Sequence, residues 1–274
     1  MRSMIITIFS IILSAGCAAK VQSNADVASS SSKQQQQNAG SVPDGSGVQN
    51  PPLAKISSLQ EQVVEYKQRY GLRDPYTKLV DDRGNNYQNL YGVRNFRAVL
   101  HGVYYRGGAN NVYNKVDGVR NNSNPLPPSG LKNLCEEGFK DAIYLYSTNY
   151  ASAPKQQACK DYKNVPQVMQ YEQITGLSAG NTEKFIAKAY DVIKRKSEGP
   201  IYGHCWNGWH ASGYVASTML KQFCGYTDQQ ALDYWIKNTD GNSTGYDAVK
   251  KLVVSFKPLS KYQITAEEKN LICP

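Results

Sequence analysis

The sequence predicts an α/β fold, a central and mostly parallel sheet flanked by helices. Three observations predict it. Short runs rich in β-branched and aromatic residues alternate with runs whose apolar residues recur every three or four positions. Caps and breakers, such as Gly138, Asn181, Pro200 and Thr227, mark where one period gives way to the other. The 274 residues suffice for one good-sized domain with appendages.

In chain order, "GVYYRGG" (102–108) is β-branched and aromatic between glycines and reads as a strand. In "PPSGLKNLCEEGFK", Ser129 is the expected N-cap, Leu131, Leu134 and Cys135 share a helical face, and Gly138 closes the helix. "DAIYLYS" (141–147) and "VMQYEQI" (168–174) are the second and third strands. "NTEKFIAKAYDVIKRKSEG" starts at an Asn181 cap and sets Phe185, Ile186, Ala189, Tyr190 and Ile193 at helical spacing. Pro200 opens the strand "PIYGHC", and Val215, Met219 and Phe223 follow at four-residue steps, so a helix leaves the loop after Cys205. Thr227 and Gln230 form a capping box for a helix carrying Leu232, Trp235 and Ile236. Ligands of such sheets sit beyond the carboxyl ends of the strands, and residues 204–212 occupy a tip of that kind.

The N-terminal part reads differently. Residues 1–17, "MRSMIITIFSIILSAGC", are a predicted signal peptide, whose apolar run from Ile5 to Leu13 is too short to span a bilayer. Ser14-Ala15-Gly16-Cys17 resembles a bacterial lipoprotein signal, although Ser14 stands where a larger aliphatic residue is usual. The resemblance implies a lipid on Cys17 and anchoring to a bacterial (outer) membrane, in the periplasm or at the cell surface. Residues 18–59 are rich in Ser, Gln, Asn, Gly and Pro and predict a disordered tether. A coil of that length spans about 35 Å. Residues 60–274 form the expected domain.

Export makes disulfides an expectation. After Cys17 five cysteines remain, and the odd count leaves one free thiol. With Cys205 free, Cys135–Cys159 and Cys224–Cys273 are the favoured pairs, and two other pairings of the four are open. Residues 61–274 hold 27 basic and 20 acidic residues, a formal charge of +7 that suits anionic ligands. The basic residues are scattered, with Lys194-Arg195-Lys196 as the only run, and nothing resembles a nucleic-acid module. His101, His204 and His210 show no metal-ligand spacing, and no cofactor is expected.

The runs "NFRAVLHGVYYRGGANN", "GLKNLCEEGFKDAIYLYS" and "NTEKFIAKAYDVIKRKSEGPIYGHCWNGWHASG" resemble the cysteine-dependent phosphatases of the protein-tyrosine and dual-specificity superfamily. Similarity is greatest to compact bacterial members, some of which act on inositol phosphates. The likeness covers about residues 92–237. It implies that fold, and a loop of His-Cys, five residues, Arg, then Ser or Thr. His204, Cys205, Gly208, Ser212 and Gly213 match; the arginine position holds Ala211.

The resemblance assigns Cys205 as nucleophile, Ser212 as the hydroxyl supporting the thiolate, and His204 as the buried residue ordering the loop. Main-chain N–H groups of Trp206, Asn207, Gly208, Trp209, His210 and Ala211 can converge on the sulfur, and the helix dipole adds positive potential. The missing guanidinium is a bidentate phosphate ligand. Losing even one pre-organised donor costs about 10²–10³ in rate. His210 turning inward or Arg106 reaching in from its strand are the candidate replacements. The general acid expected upstream of the cysteine is also missing from "YEQITGLSAGN" as an aspartate, leaving Glu172, Asp161 and Asp240 as candidates. Trp206 and Trp209 either stack on a ring or sugar of the ligand or pack the loop.

Three readings follow. One is a phosphatase-fold protein that binds a phosphorylated or anionic ligand with hydrolysis weak or absent. Another is an active phosphatase, on phosphotyrosine or inositol phosphate, with a non-standard residue in place of the arginine. The last is a non-catalytic surface interaction lipoprotein.

Overall fold

The structure, a computed structural model, describes residues 58–110 and 125–274. The expected signal peptide with Cys17, and the tether up to residue 57, lie outside the described residues.

Six strands form one sheet in the order β1-β2-β6-β3-β5-β4. They are β1 (Val93–Leu100), β2 (Tyr104–Ala109), β3 (Asp141–Tyr144), β4 (Gln156–Lys160), β5 (Pro166–Gln173) and β6 (Ile201–Cys205). The sheet is mixed, which corrects the expectation of a mostly parallel one. β2, β6, β3 and β5 run parallel, while β1 on β2 and β4 on β5 are antiparallel. Connection length is the reason. Only residues 101–103 separate β1 from β2, and 161–165 separate β4 from β5. Links so short can join only antiparallel neighbours, whereas a parallel pair needs a crossover of a dozen or more residues.

Around the sheet lie α1 (Leu59–Tyr70), α2 (Pro128–Glu136), α3 (Ala179–Ile193), α4 (His210–Cys224), α5 (Asp228–Lys237), α6 (Asp247–Ser255) and α7 (Ala266–Ile272). None is long and apolar enough to cross a membrane among the described residues. Two apolar layers are buried. One packs α3, α4 and α5 through Phe185, Ile186, Val215, Met219 and Trp235. The other is aromatic, with Phe96 stacked between Tyr105 and Tyr202 at 5.2 and 5.7 Å.

Most expected elements form, with local differences. The Thr227–Gln230 capping box closes α5 as expected. Ser129 lies inside α2 rather than capping it, because Pro128, whose missing N–H costs nothing in a first turn, already starts the helix after Pro127. Asn181 likewise sits in the first turn of α3, behind Ser178. On α5 Trp235 is buried but Ile236 is exposed, since Ala231, Tyr234 and Trp235 make the inward stripe.

Both favoured disulfides form. Cys135–Cys159 joins α2 to β4, and Cys224–Cys273 joins the end of α4 to the chain after α7. Cys205 is free and buried.

Candidate functional site

Cys205 is the last residue of β6, and α4 begins five residues later. The loop between them lies flat on β2. A Cβ on Gly108 would fall 2.5 Å from the Asn207 carbonyl carbon, and one on Gly208 would fall 2.6 Å from that of Gly107. Gly208 also has φ +78, a left-handed conformation that glycine adopts without strain.

Five consecutive loop carbonyls are held from the protein interior. Trp206 O accepts from Ala109 N–H at 3.1 Å, and Asn207 O from Asn95 Nδ2 at 2.8 Å. Gly208 O and Trp209 O both accept from Arg106 Nη2, the latter at 3.1 Å. His210 O accepts from Trp235 Nε1 at 3.1 Å. In a trans peptide the N–H points opposite to the C=O. The five N–H groups of residues 207–211 therefore face away from these donors. No N–H from 206 to 212 is hydrogen-bonded to protein among the described residues. The last of them are also the free donors of the first turn of α4, where the helix dipole is positive.

Cys205 Sγ lies 3.5 Å from Ser212 Oγ, which also accepts from Arg106 Nη2 at 3.4 Å. Arg106 is completely buried, and its remaining bond goes to Tyr234 OH at 3.2 Å. No carboxylate pairs with it among the described residues. Arg97, its register partner on β1, is also buried. Burial and the Arg106 charge push Arg97 down to about 10. Asp240 is its one acidic contact among the described residues, at 3.6 Å, and Asp240 is shared with Lys78. The underside of the loop is thus electropositive.

His204 is sealed among Tyr144, Tyr171 and Tyr202, all stacked on its ring. Its Nδ1 lies 3.2 Å from Cys205 O and its Nε2 2.8 Å from Tyr171 OH. Tyr171 OH already accepts from Leu126 N–H, so it donates to Nε2 and leaves the proton on Nδ1. Burial pushes His204 down to about 3, keeping it neutral. It serves as a fixed strut under Cys205.

Above the loop is a pocket of about 490 Å³. Cys205, Trp206, Asn207, Trp209, His210 and Ala211 line it from the loop side, with Tyr146, Leu177 and residues of 241–246 opposite. Among the described residues no Asp, Glu, Lys or Arg lines it. Neither candidate replaces the missing guanidinium inside the pocket. Arg106 supports the loop from beneath. His210 lines the pocket, but its Nε2 binds Asn242 O at 2.7 Å and its ring stacks on Tyr246 at 3.6 Å. Burial, with the Arg106 charge, holds His210 below its usual range. At Ala211 the side chain abuts Gly176. Gly213 lets α4 pass close to Trp235, where an added Cβ would meet the indole at 3.0 Å.

The three acid candidates lie in different places. Asp161 turns the β4–β5 hairpin by accepting from the N–H groups of Lys163 and Val165, both at 2.9 Å. That turn precedes β5, at the opposite end of the parallel strands from Cys205. Glu172 is paired with Lys188 of α3 at 2.6 Å. Asp240 alone is near, accepting from Trp209 Nε1 at 2.9 Å. Burial favours its neutral form. The Lys78 hydrogen bond and charge, with Trp209 and Arg97, outweigh that and hold Asp240 below the usual carboxylate range. It fastens Trp209 and the 240–246 loop as a carboxylate. No group of three His, Cys, Asp or Glu fit to hold a metal occurs among the described residues.

The sequence reading missed the undersurface of the site. Asn95, Arg97 and Trp235 reach it from strands and helices far apart in the chain. The pair Gly107-Gly108 was the available signal, because two glycines closing a strand mark close backbone approach. No protein-family model matches this chain, and no curated protein matches it.

Proposed function

We propose that this chain is a relative of the cysteine-dependent phosphatases that binds a phosphorylated or similar oxyanion ligand over Cys205, with hydrolysis weak or absent. One observation carries the proposal. Interior donors hold the carbonyls of residues 206–210, so the N–H groups of residues 207–211 face outward beside a free thiol. Convergent, pre-paid donors are what an oxyanion needs, because binding then requires no loop reorganisation. The buried guanidinium of Arg106 strengthens them by polarising two of the peptides from behind.

Weak turnover follows from what is not there. Among the described residues the pocket has no fork to gather charge on a transferring phosphoryl group. The nearest acid is held as a carboxylate and is bonded to an indole. In keeping with the signal-like N-terminus, the protein is proposed to be exported and lipid-anchored at Cys17, on a bacterial membrane.

Calorimetric titration with inorganic sulfate and phosphate tests the reading, alongside assays on p-nitrophenyl phosphate and inositol phosphates with Cys205→Ser as control. Saturable oxyanion binding, with turnover no greater than in Cys205→Ser, is expected. Strong Cys205-dependent turnover would favour the active phosphatase. No oxyanion binding would leave the interaction lipoprotein.

A further inference from the structure

The pocket walls bear on the rest of the ligand. They are rings: Tyr146, Trp206, Trp209 and the stacked His210–Tyr246 pair. Between the rings stand neutral polar groups. Tyr146, Thr244, Tyr246 and Asn207 line the pocket, and their hydroxyls and side-chain amide make no hydrogen bond among the described residues. Among the described residues no ionised side chain lines it.

We propose that the pocket takes a sugar ring carrying a single phosphate or sulfate ester, with the ester over Cys205 and the ring against the aromatic wall. The proposal rests on the oxyanion reading above and specifies its ligand. A pyranose has an apolar C–H face that packs on aromatic rings and hydroxyls that pair with amide and hydroxyl groups. A polyanion is disfavoured, because each further phosphate would be stripped of water beside rings with no counter-charge. A bare aryl ring would stack but leave the Asn207 and Thr244 groups unpaired where it covers them, and polar groups covered without a partner cost affinity.

Calorimetry on the full chain separates the cases, with inorganic phosphate, glucose 6-phosphate, phenyl phosphate and inositol hexakisphosphate as probes. Glucose 6-phosphate is expected to bind at least tenfold more tightly than inorganic phosphate, and more tightly than the other two. The double variant Tyr146→Ala/Thr244→Ala, outside the oxyanion loop, should lose most of that gain while binding inorganic phosphate as before. If inorganic phosphate binds and glucose 6-phosphate gains nothing, or phenyl phosphate or the hexakisphosphate binds tightest, the sugar proposal fails and the oxyanion reading stands. If no probe binds, both fall.

Discussion

Arg106 donates to the main-chain carbonyl of Trp209 at 3.1 Å from beneath the loop. One of the two side chains that were candidates to replace the pocket guanidinium instead holds the peptides that line the pocket. The same nitrogen serves Gly208 O and Ser212 Oγ, so one planar group sets two loop peptides and the hydroxyl beside Cys205.

Arg106→Lys tests that arrangement. A lysine keeps the charge, but a single ammonium cannot serve both the loop acceptors and Tyr234 OH as the two terminal nitrogens of Arg106 do. Sulfate affinity measured by calorimetry should fall at least tenfold. An unchanged affinity would mean that the loop holds its shape without the guanidinium.

Gly108→Ala acts from the opposite side. Its Cβ would press on main chain at Asn207, which cannot swing aside as a side chain can. Overpacking of this kind costs about 1–3 kcal/mol. Oxyanion binding should be lost while far-UV circular dichroism is retained; a variant that binds sulfate normally contradicts the flat docking of the loop on β2.

Ala211→Arg supplies the absent fork. A charge-assisted hydrogen bond is worth about 1.5–3 kcal/mol, so sulfate should bind about tenfold or more tightly. Turnover should appear first on p-nitrophenyl phosphate, whose leaving group needs no proton, and remain slow on alkyl phosphates, because Asp240 stays engaged with Trp209 and Lys78. Rates on the two substrate types measure this; equal rates would point to a working acid.

Acid should destabilise the domain through its buried histidines. His204 is held down to about 3 and His101 to about 4, against an ordinary value of 6.5, chiefly by burial. The unfolded chain therefore takes up the protons first. Stability is fully present above about pH 6.5 and is lost as pH falls towards these folded values, by up to about 1.4 kcal/mol per pH unit for each histidine. Asp240 is held low and adds its loss only further down, below the ordinary carboxylate range. Urea unfolding at pH 7 and pH 5 measures the difference. Equal stability at the two values would contradict sealed, neutral histidines.

Replacing Cys224 and Cys273 together by serine should cost about 4 kcal/mol by the chain-entropy relation, for their separation of 49 residues. The Cys135–Cys159 pair, separated by 24, should cost somewhat less. Urea unfolding of the two double variants gives both values. A reversed order would show that native contacts, rather than loop length, dominate.

The elements around the site were legible because period and punctuation agree there. β6, α4 and the Thr227–Gln230 box of α5 all stand where the residues place them. β4 was not, since the half-buried positions of the edge strand "QQACK" are Gln157 and Cys159, and no apolar alternation marks them. α6 and α7 carry few buried residues each, so tertiary packing rather than periodicity fixes them. β1 is buried along its whole length, yet its sequence includes Arg94, Asn95 and Arg97. Those polar residues hide the strand, and Asn95 and Arg97 are the ones that support the loop and its latch at Asp240. Cys205, Ser212 and His204 were readable from one contiguous motif; the groups that aim the amides come from distant segments and were not.

The most direct test is a crystal of the wild-type protein soaked in tungstate, read by anomalous scattering. The account predicts a tungstate over Cys205 Sγ, contacted by main-chain N–H groups of residues 207–211 and by no arginine. Tungstate found only elsewhere on a well-ordered molecule, with this loop open and accessible, would contradict it.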